Sequence, residues 1–263
     1  MAKRARSWNK TKYERYVKEG RGQGEGSTYM PWISVHDFSS RGMVSRIVGH
    51  KTKRVHHFLS RSELNYFFLL EWSDKILDIR EQFPLIDMEL AVGIAQKIGI
   101  KYPTDNVSGF PYVLTCDFMI TTVSGLKART IKHAAELQSK RVIEKLEIER
   151  RYWQSMGIEW KIVTENEIPR QKCLNIEWLY SSAGIPEPLA DCQIRKSLLR
   201  KIRDGVPACI AIGNIDNEWG LPSGSGLLLL KNMLWHKELA FDMDNPLPAA
   251  LWDKEGTGKI WLP

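Results

Sequence analysis

The sequence predicts an α/β fold in which helices cover a mixed sheet, followed by a smaller and mainly helical domain. Two observations support this prediction. Up to residue 163, stretches that alternate apolar with polar residues, as strands do, occur between stretches with helical periodicity. After Ile168 and Pro169 the composition becomes helical and then irregular. We therefore predict two domains, residues 1–168 and residues 169–263.

The stretch from Val113 to His133 is predicted to form two short strands joined by a turn at residues 124–125. Asp117 lies between alternating apolar residues of the first strand, so its carboxylate points away from the face that they bury. In the second strand Thr130 and Lys132 are two residues apart and project to one side. A carboxylate followed at this spacing by a lysine is typical of metal-dependent nucleases, where oxygen atoms hold Mg²⁺ and the lysine balances phosphate charge. A solvated strand edge is the alternative interpretation.

The remaining elements follow from periodicity and from turn residues. In the longest predicted helix, Leu146, Tyr152 and Trp153 are expected to face the sheet. Glu149 is expected to face solvent and pair with a neighbouring arginine, and a position near the candidate site is the alternative. The predicted strands are a hairpin across residues 46–59, residues 75–83 and residues 158–163, with strand-like pieces in 239–263. The predicted helices span residues 13–19, 60–72, 89–98, 139–156, 175–182, 190–204 and 222–238, and 206–212 is a short apolar segment.

Glu63 has two interpretations. Ser60 and Glu63 have the spacing of a capping box, in which the glutamate bonds back to the start of the helix and needs no catalytic role. A glutamate at this position is also able to face Asp117 and complete a metal site. The adjacent His56 and His57 point to opposite faces of a strand, so we interpret them as structural.

The formal net charge of the chain is +7, and the excess lies at the N-terminus. Residues 1–61 contain 14 Lys and Arg against 4 Asp and Glu, whereas residues 62–263 contain 24 against 27. A basic segment with aromatic residues predicts binding to the phosphate backbone with a few stacking side chains. An ordinary solvated surface or a disordered tail is the alternative. The aromatic residues are Trp8, Tyr13, Tyr16, Tyr29 and Trp32.

The four cysteines, Cys116, Cys173, Cys192 and Cys209, show no CxxC pairing, so neither a zinc site nor a disulfide framework is indicated. A reduced, cytoplasmic compartment is the simplest expectation. Apolar runs fall far short of the roughly 18 residues that a membrane-spanning helix needs, so we expect no membrane association.

Several strings occur in order between residues 18 and 181: KEGRGQG, HKTKRVHH, LEW, DIREQFPL, EKLEIERRYW and NIEWLY. Together they closely resemble the TnsA family, the endonuclease subunits of cut-and-paste transposases that nick the 5′ ends of the element. The resemblance implies a restriction-endonuclease-like fold for the first domain. For the second it implies a helical, winged-helix-like domain that contacts DNA and partner proteins, although no residue-level match extends beyond Ser181.

The resemblance also implies the site. Glu63, Asp117, Thr130 and Lys132 would be the catalytic residues, and Glu63, Asp117 and the backbone carbonyl of Ile131 would bind Mg²⁺, for which Mn²⁺ is expected to substitute. Thr130 stands where the family usually has glutamine. Because its hydroxyl is shorter, we expect it to reach a metal only through water.

The family further implies that the chain nicks the non-transferred strand at transposon ends in duplex DNA, together with a TnsB-like DDE transposase and a TnsC-like AAA+ ATPase. Arg21, Lys51, Lys53 and Arg54 are the predicted DNA contacts. Two alternatives remain open: a stand-alone restriction-type endonuclease, and a non-catalytic scaffold that holds transposon ends.

Overall fold

Residues 7–37, 43–247, 251 and 260–263, which a computed structural model of the chain describes, fall into two units, Met1–Ile168 and Pro169–Pro263. The elements of the first unit are α1 (Lys10–Lys18), β1 (Ser45–Val48), β2 (Val55–Phe58), α2 (Arg61–Trp72), β3 (Ile76–Pro84), α3 (Met88–Lys97), β4 (Thr115–Thr122), β5 (Gly125–Ile131), α4 (Lys140–Ser155) and β6 (Glu159–Val163). Those of the second are α5 (Arg170–Tyr180), α6 (Glu187–Ala190), α7 (Cys192–Arg203), α8 (Ala208–Glu218), α9 (Ser225–Trp235), β7 (Ala240–Phe241) and β8 (Ile260–Trp261).

The centre of the first unit is a four-stranded sheet in the order β3-β4-β5-β6. The pairs β3–β4 and β4–β5 are antiparallel, and β5–β6 is parallel because the chain crosses over through α4. The β1–β2 hairpin forms a separate two-stranded sheet. The predicted mixed α/β fold is therefore confirmed.

Helices α3 and α4 bury their apolar sides in one cluster with the sheet. Met119 and Ala128 of the sheet pack there with Ile148, Tyr152 and Trp153 of α4, all at most 2% exposed. Burial of each large apolar side chain contributes roughly 1.5–3 kcal/mol relative to its exposure, so this cluster fixes α4 against β4 and β5. It thereby fixes every side chain that α4 projects toward those strands.

Four of the five aromatic residues of the N-terminal segment are core residues, and Tyr13 is half-buried against them. Trp8, Tyr16 and Trp32 are at most 7% exposed and pack edge to face in a cluster with Val113, and Tyr29 is 4% exposed. The expectation that these side chains stack on DNA was therefore wrong. Their burial also depends on distant partners, such as Pro111, whose carbonyl accepts from the Trp8 indole 103 residues away, so a local pattern of basic and aromatic residues did not reveal it. Residues 1–6 of the basic segment lie outside the described residues.

The second unit consists mainly of helices, with a short β7–β8 pair near its end. Most of the predicted apolar segment 206–212 forms the first part of helix α8, which begins at Ala208. Helix α9 starts at residue 225, and its N-cap is Gly224, with a left-handed φ of 93°. The carboxylate of Asp216 accepts hydrogen bonds from the Gly224 and Gly226 amides at the start of this helix. The winged-helix-like character of this unit remains a prediction. None of the helices in the described residues is long and apolar enough to cross a membrane.

Candidate functional site

Asp117 lies in the central strand β4, at a point where both of its neighbouring ladders are interrupted. On one side, the regular β3–β4 pairing omits Gln82, the residue that stands opposite Asp117. Gln82 has a left-handed φ of 49°. On the other side the β4–β5 pairing ends where Phe118 meets Arg129. Just beyond, the Ile131 backbone amide donates to Asp117 Oδ2 at 2.6 Å. A carboxylate thus takes the place of a strand carbonyl as acceptor, and this contact fixes its orientation.

Lys132 follows β5 directly and reaches back over the same strand end. Its Nζ lies 3.9 Å from Asp117 Oδ2 and donates to the Ile131 carbonyl oxygen at 2.9 Å. Burial lowers the pKa of Lys132, but the surrounding carboxylates, led by Asp117, outweigh burial and raise it. The ammonium group therefore stays charged beside the carboxylate and the carbonyl that sequence analysis assigned to metal binding.

Glu63 combines the two roles that sequence analysis set against each other. Its carboxylate accepts from the Leu59 amide at 3.0 Å and from the Ser60 hydroxyl at 2.8 Å, and the Ser60 hydroxyl accepts from the Glu63 amide. Glu63 therefore does anchor the start of α2, although its carboxylate takes the amide before the N-cap residue and not the N-cap amide of a capping box. The same carboxylate is 7% exposed and accepts from Gln82 Nε2 at 3.3 Å. Burial and then the charge of Asp117 raise the pKa of Glu63 to about 7. Capping therefore does not turn Glu63 away from Asp117.

Thr130 connects the site to a residue that sequence analysis placed in solvent. Its hydroxyl donates to Glu149 of α4, which is 5% exposed and also accepts from Trp160 Nε1 at 2.8 Å. Burial raises the pKa of Glu149 to about 8. The expectation of an exposed Glu149 was wrong, and the sequence did contain a signal. Position 149 lies three residues after Leu146 and four before Trp153, on the stripe of α4 that faces the sheet.

The carboxyl groups of this site outnumber the cations near them. The pKa of Asp117 is raised by burial, which exceeds the opposing effects of Lys132 and of the Ile131 amide. Among the described residues no three His, Cys, Asp or Glu side chains are grouped closely enough to hold a metal between them. A divalent ion here would rely on two carboxylates, the Ile131 carbonyl and water. These are hard oxygen ligands of the type that Mg²⁺ prefers, so the residues fit the ion that sequence analysis assigned.

The four predicted DNA contacts occupy different environments. Arg54 is buried, with its guanidinium 7% exposed and bonded to Glu81 Oε1 at 2.8 Å, so this environment does not suit a DNA contact. Arg21 is ion-paired with Asp37 at 2.7 Å and is 16% exposed. Lys51 and Lys53 lie in the turn between β1 and β2, where Lys51 is half-buried and Lys53 is exposed. Of the four predicted DNA contacts, the two lysines of this turn are therefore the best placed to present positive charge to solvent.

Comparisons with known proteins identify the family of the chain. Residues 73–165 match the family described as TnsA-like endonuclease N terminal, and residues 167–243 match TnsA endonuclease C terminal. The chain belongs to the TnsA family. It is 47% identical over 184 residues to "Transposon Tn7 transposition protein TnsA" of Escherichia coli, a match that covers 69% of this chain and 66% of that protein. The family supports the restriction-endonuclease-like fold that sequence analysis expected of the first unit.

Proposed function

We propose that this chain is an Mg²⁺-dependent DNA endonuclease that nicks the 5′, non-transferred strand at transposon ends. The observation that carries the proposal is the juxtaposition of Glu63, Asp117 and Lys132. They come from a helix start, a central strand and a strand end, and they influence one another electrostatically. The carboxyl groups with raised pKa and the partly offsetting lysine form a pattern common in active sites.

Each residue has a distinct part in the proposed reaction. Glu63 and Asp117, with the carbonyl of Ile131, would hold the cation, and Mn²⁺ is expected to substitute because it prefers the same oxygen ligands. Mg²⁺ supplies Lewis-acid activation of the phosphate ester when bound. The Ile131 amide holds Asp117 in place, and Lys132 is positioned to balance negative charge that develops on the scissile phosphate. Thr130 acts through Glu149, whose carboxylate it orients.

The partners follow from the relative, which is a Tn7 transposition protein. We infer that the chain works in a cut-and-paste assembly with a TnsB-like DDE transposase, which cuts the other strand, and a TnsC-like AAA+ ATPase. A cytoplasmic location remains the expectation from cysteine usage. Nicking that needs these partners would separate this function from that of a stand-alone restriction-type enzyme.

Asp117→Ala tests the catalytic proposal. In the full assembly with Mg²⁺ and duplex transposon ends, we expect the nicking rate to fall by about a thousandfold or more, because the loss removes several kcal/mol of charge stabilisation. DNA affinity should stay close to that of the wild type. Glu89→Ala is a matched control, since Glu89 is an exposed carboxylate in α3. Wild-type nicking by Asp117→Ala would leave the scaffold alternative as the better account.

The second unit offers a basic surface for the DNA phosphates. Lys196, Arg200 and Arg203 lie on one face of α7, all exposed, opposite the buried Ile194 and Leu198. By contrast α9, the second helix of the α8–α9 pair, is mostly buried and apolar, which does not suit a helix that reads bases in the major groove. We therefore propose that this unit contacts the phosphate backbone through α7.

A salt series tests this surface. Neutralising Lys196, Arg200 and Arg203 to glutamine should reduce the slope of log affinity against log salt by about 0.9 for each phosphate that the variant no longer neutralises. Lys201→Gln is the control, because Lys201 lies on the same helix but is ion-paired with Glu218 at 2.6 Å. An unchanged slope in the triple variant would show that the face is only solvated.

A further inference from the structure

Gln82 is a buried residue in a backbone conformation that its side chain disfavours. It is 3% exposed and has a φ of 49° within β3, although it is not glycine. A left-handed conformation costs an L-residue on the order of 1–2 kcal/mol, and such outliers persist where the surrounding structure imposes them. Here the Trp32 amide donates to the Gln82 carbonyl at 3.3 Å, so the buried aromatic cluster of the N-terminal segment supports the kink.

The kink places the Gln82 amide between the two carboxylates of the proposed site. Its Nε2 donates to Glu63 Oε2 at 3.3 Å. Asp117 stands opposite Gln82 across the interrupted ladder, and the nearby Gln82 amide acts to lower the pKa of that carboxyl group, against the larger effect of burial. Its Oε1 accepts from the Thr115 hydroxyl at 3.2 Å. Since ionised carboxylates only accept hydrogen bonds, the two N–H groups of the amide face them and its oxygen faces the hydroxyl donor.

We propose that Gln82 is a positioning residue that holds Glu63 and Asp117 in the orientation in which they receive the divalent cation. This inference rests on the proposed nuclease function. Among the described residues, Lys132 is the cation that acts on both carboxylates, and two like charges at a shared site repel each other. A neutral amide with two donors holds them in place without occupying the cation's position. Partners of this kind, which orient the ligands of a metal, typically change metal affinity 10- to 100-fold when they are removed.

Gln82→Gly is the decisive variant, because glycine tolerates left-handed backbone and the relief of strain offsets part of the cost of losing the buried amide. We expect the variant to stay folded, with a thermal midpoint close to that of the wild type. Mn²⁺ binding by the full chain, measured by the electron paramagnetic resonance signal of free Mn²⁺, should weaken about 10- to 100-fold. The half-saturating Mg²⁺ concentration for nicking should rise in parallel, with duplex DNA affinity unchanged. Thr115→Val, which removes only the hydroxyl that orients the amide, should give a smaller shift in the same direction.

Lys237→Gly is the matched control for backbone relief, since Lys237 also has a left-handed φ, of 60°, but lies in the second unit. It should leave Mn²⁺ binding unchanged. Wild-type Mn²⁺ affinity in Gln82→Gly, with affinity lost in Asp117→Ala, would overturn the positioning role and leave the proposed function standing. Failure of the wild-type chain itself to bind Mn²⁺ would overturn both.

Discussion

Two buried clusters of charged groups lie in the first unit, and they differ in how the negative charge of their carboxyl groups is compensated. In the first, Glu81 is 0% exposed and accepts from Arg54, His56 and the His57 amide. Burial alone would raise the pKa of Glu81, but Arg54 and His56 lower it to about 2. In the second, burial and mutual repulsion raise the pKa of Glu63 to about 7. The charge of Glu81 is balanced by Arg54, whereas Lys132 offsets the carboxyl groups of the second cluster only in part.

The two clusters are neighbours along a single strand. Glu81 and Gln82 are consecutive residues of β3, and the left-handed backbone at Gln82 separates a fully paired structural network from an under-compensated site. Removing one partner from a well-paired buried charge destabilises a fold, whereas buried carboxyl groups without enough cations are costly and are common at functional sites. We therefore expect the cluster of Glu81 to contribute to stability and the cluster of Glu63 and Asp117 to contribute to catalysis. Each expectation is testable.

The largest expected effect is the loss of nicking in Glu63→Gln. We expect a decrease of about a thousandfold, on the order of 4 kcal/mol, because an amide is a poor substitute for a charged metal ligand. Stability at pH 7 should be unchanged or slightly higher. The new amide oxygen still accepts from Leu59, and its NH₂ group is able to donate to the Ser60 hydroxyl. Chemical denaturation beside a strand-nicking assay measures both, and a large loss of stability would instead favour the capping role alone.

The opposite result is expected for Glu81→Gln. Removing one partner of a buried ion pair leaves Arg54 uncompensated and should cost about 3–5 kcal/mol of unfolding free energy. The fraction of protein that remains folded should keep its nicking rate per molecule. Urea denaturation provides the first measurement, and active-site titration with Mn²⁺ normalises the second. A stable but inactive Glu81→Gln would erase the distinction between the clusters.

Elements with strong periodicity were predictable from the sequence, because each depends on local pattern. The hairpin of β4 and β5, helix α2 and helix α4 were placed within about two residues. Alternation placed Asp117 in β4, whereas its assignment to metal binding depended on the family resemblance. The overlooked features depend on distant contacts. Arg54 in a basic string suggested a surface, yet its partner Glu81 lies 27 residues away. The kink at Gln82 leaves no mark in the sequence at all.

Glu149 shows how a local rule can mislead. The neighbouring arginines suggested that it pairs on the helix surface, but Arg150 and Arg151 both pair with Glu147 instead. One turn of α4 thus carries a paired, outward glutamate and a buried one two residues later. Counting from Leu146 and Trp153 separates the two positions, whereas charge patterning does not.

The dependence of stability on pH should separate the clusters in a third way. The folded-state pKa values of Glu63 and Glu149, about 7 and about 8, exceed the ordinary value of 4.5. The native state therefore binds more protons than the unfolded state between about pH 4.5 and pH 8, and metal-free stability should fall as pH rises through that window. The maximum slope is about 1.4 kcal/mol per pH unit for each proton. Glu81 acts in another window, because its contribution is present above pH 4.5 and is lost as pH falls toward 2.

Urea midpoints of the metal-free protein at several pH values measure these slopes. Glu63→Gln should flatten the curve between pH 4.5 and 7, and added Mg²⁺ should flatten it in the wild type, since the ion favours the ionised carboxylates. Glu89→Ala, the exposed control, should follow the wild-type curve. A wild-type curve that rises across this window would contradict the electrostatic difference between the clusters.

The smallest expected effect is that of Thr130→Val, which probes the edge of the under-compensated site. The substitution keeps shape but removes the hydroxyl that donates to Glu149, leaving that carboxylate with Trp160 as its remaining side-chain donor. Loss of one hydrogen bond to a buried group costs about 1–3 kcal/mol, so we expect nicking to fall about tenfold. Thr122→Val is the control, because Thr122 also makes buried hydroxyl contacts, but in the turn at the far end of β4. It should lose stability without losing rate. Equal rates in Thr130→Val and the wild type would place Thr130 and Glu149 with the structural network of Glu81, and the boundary between the clusters would then move to β5.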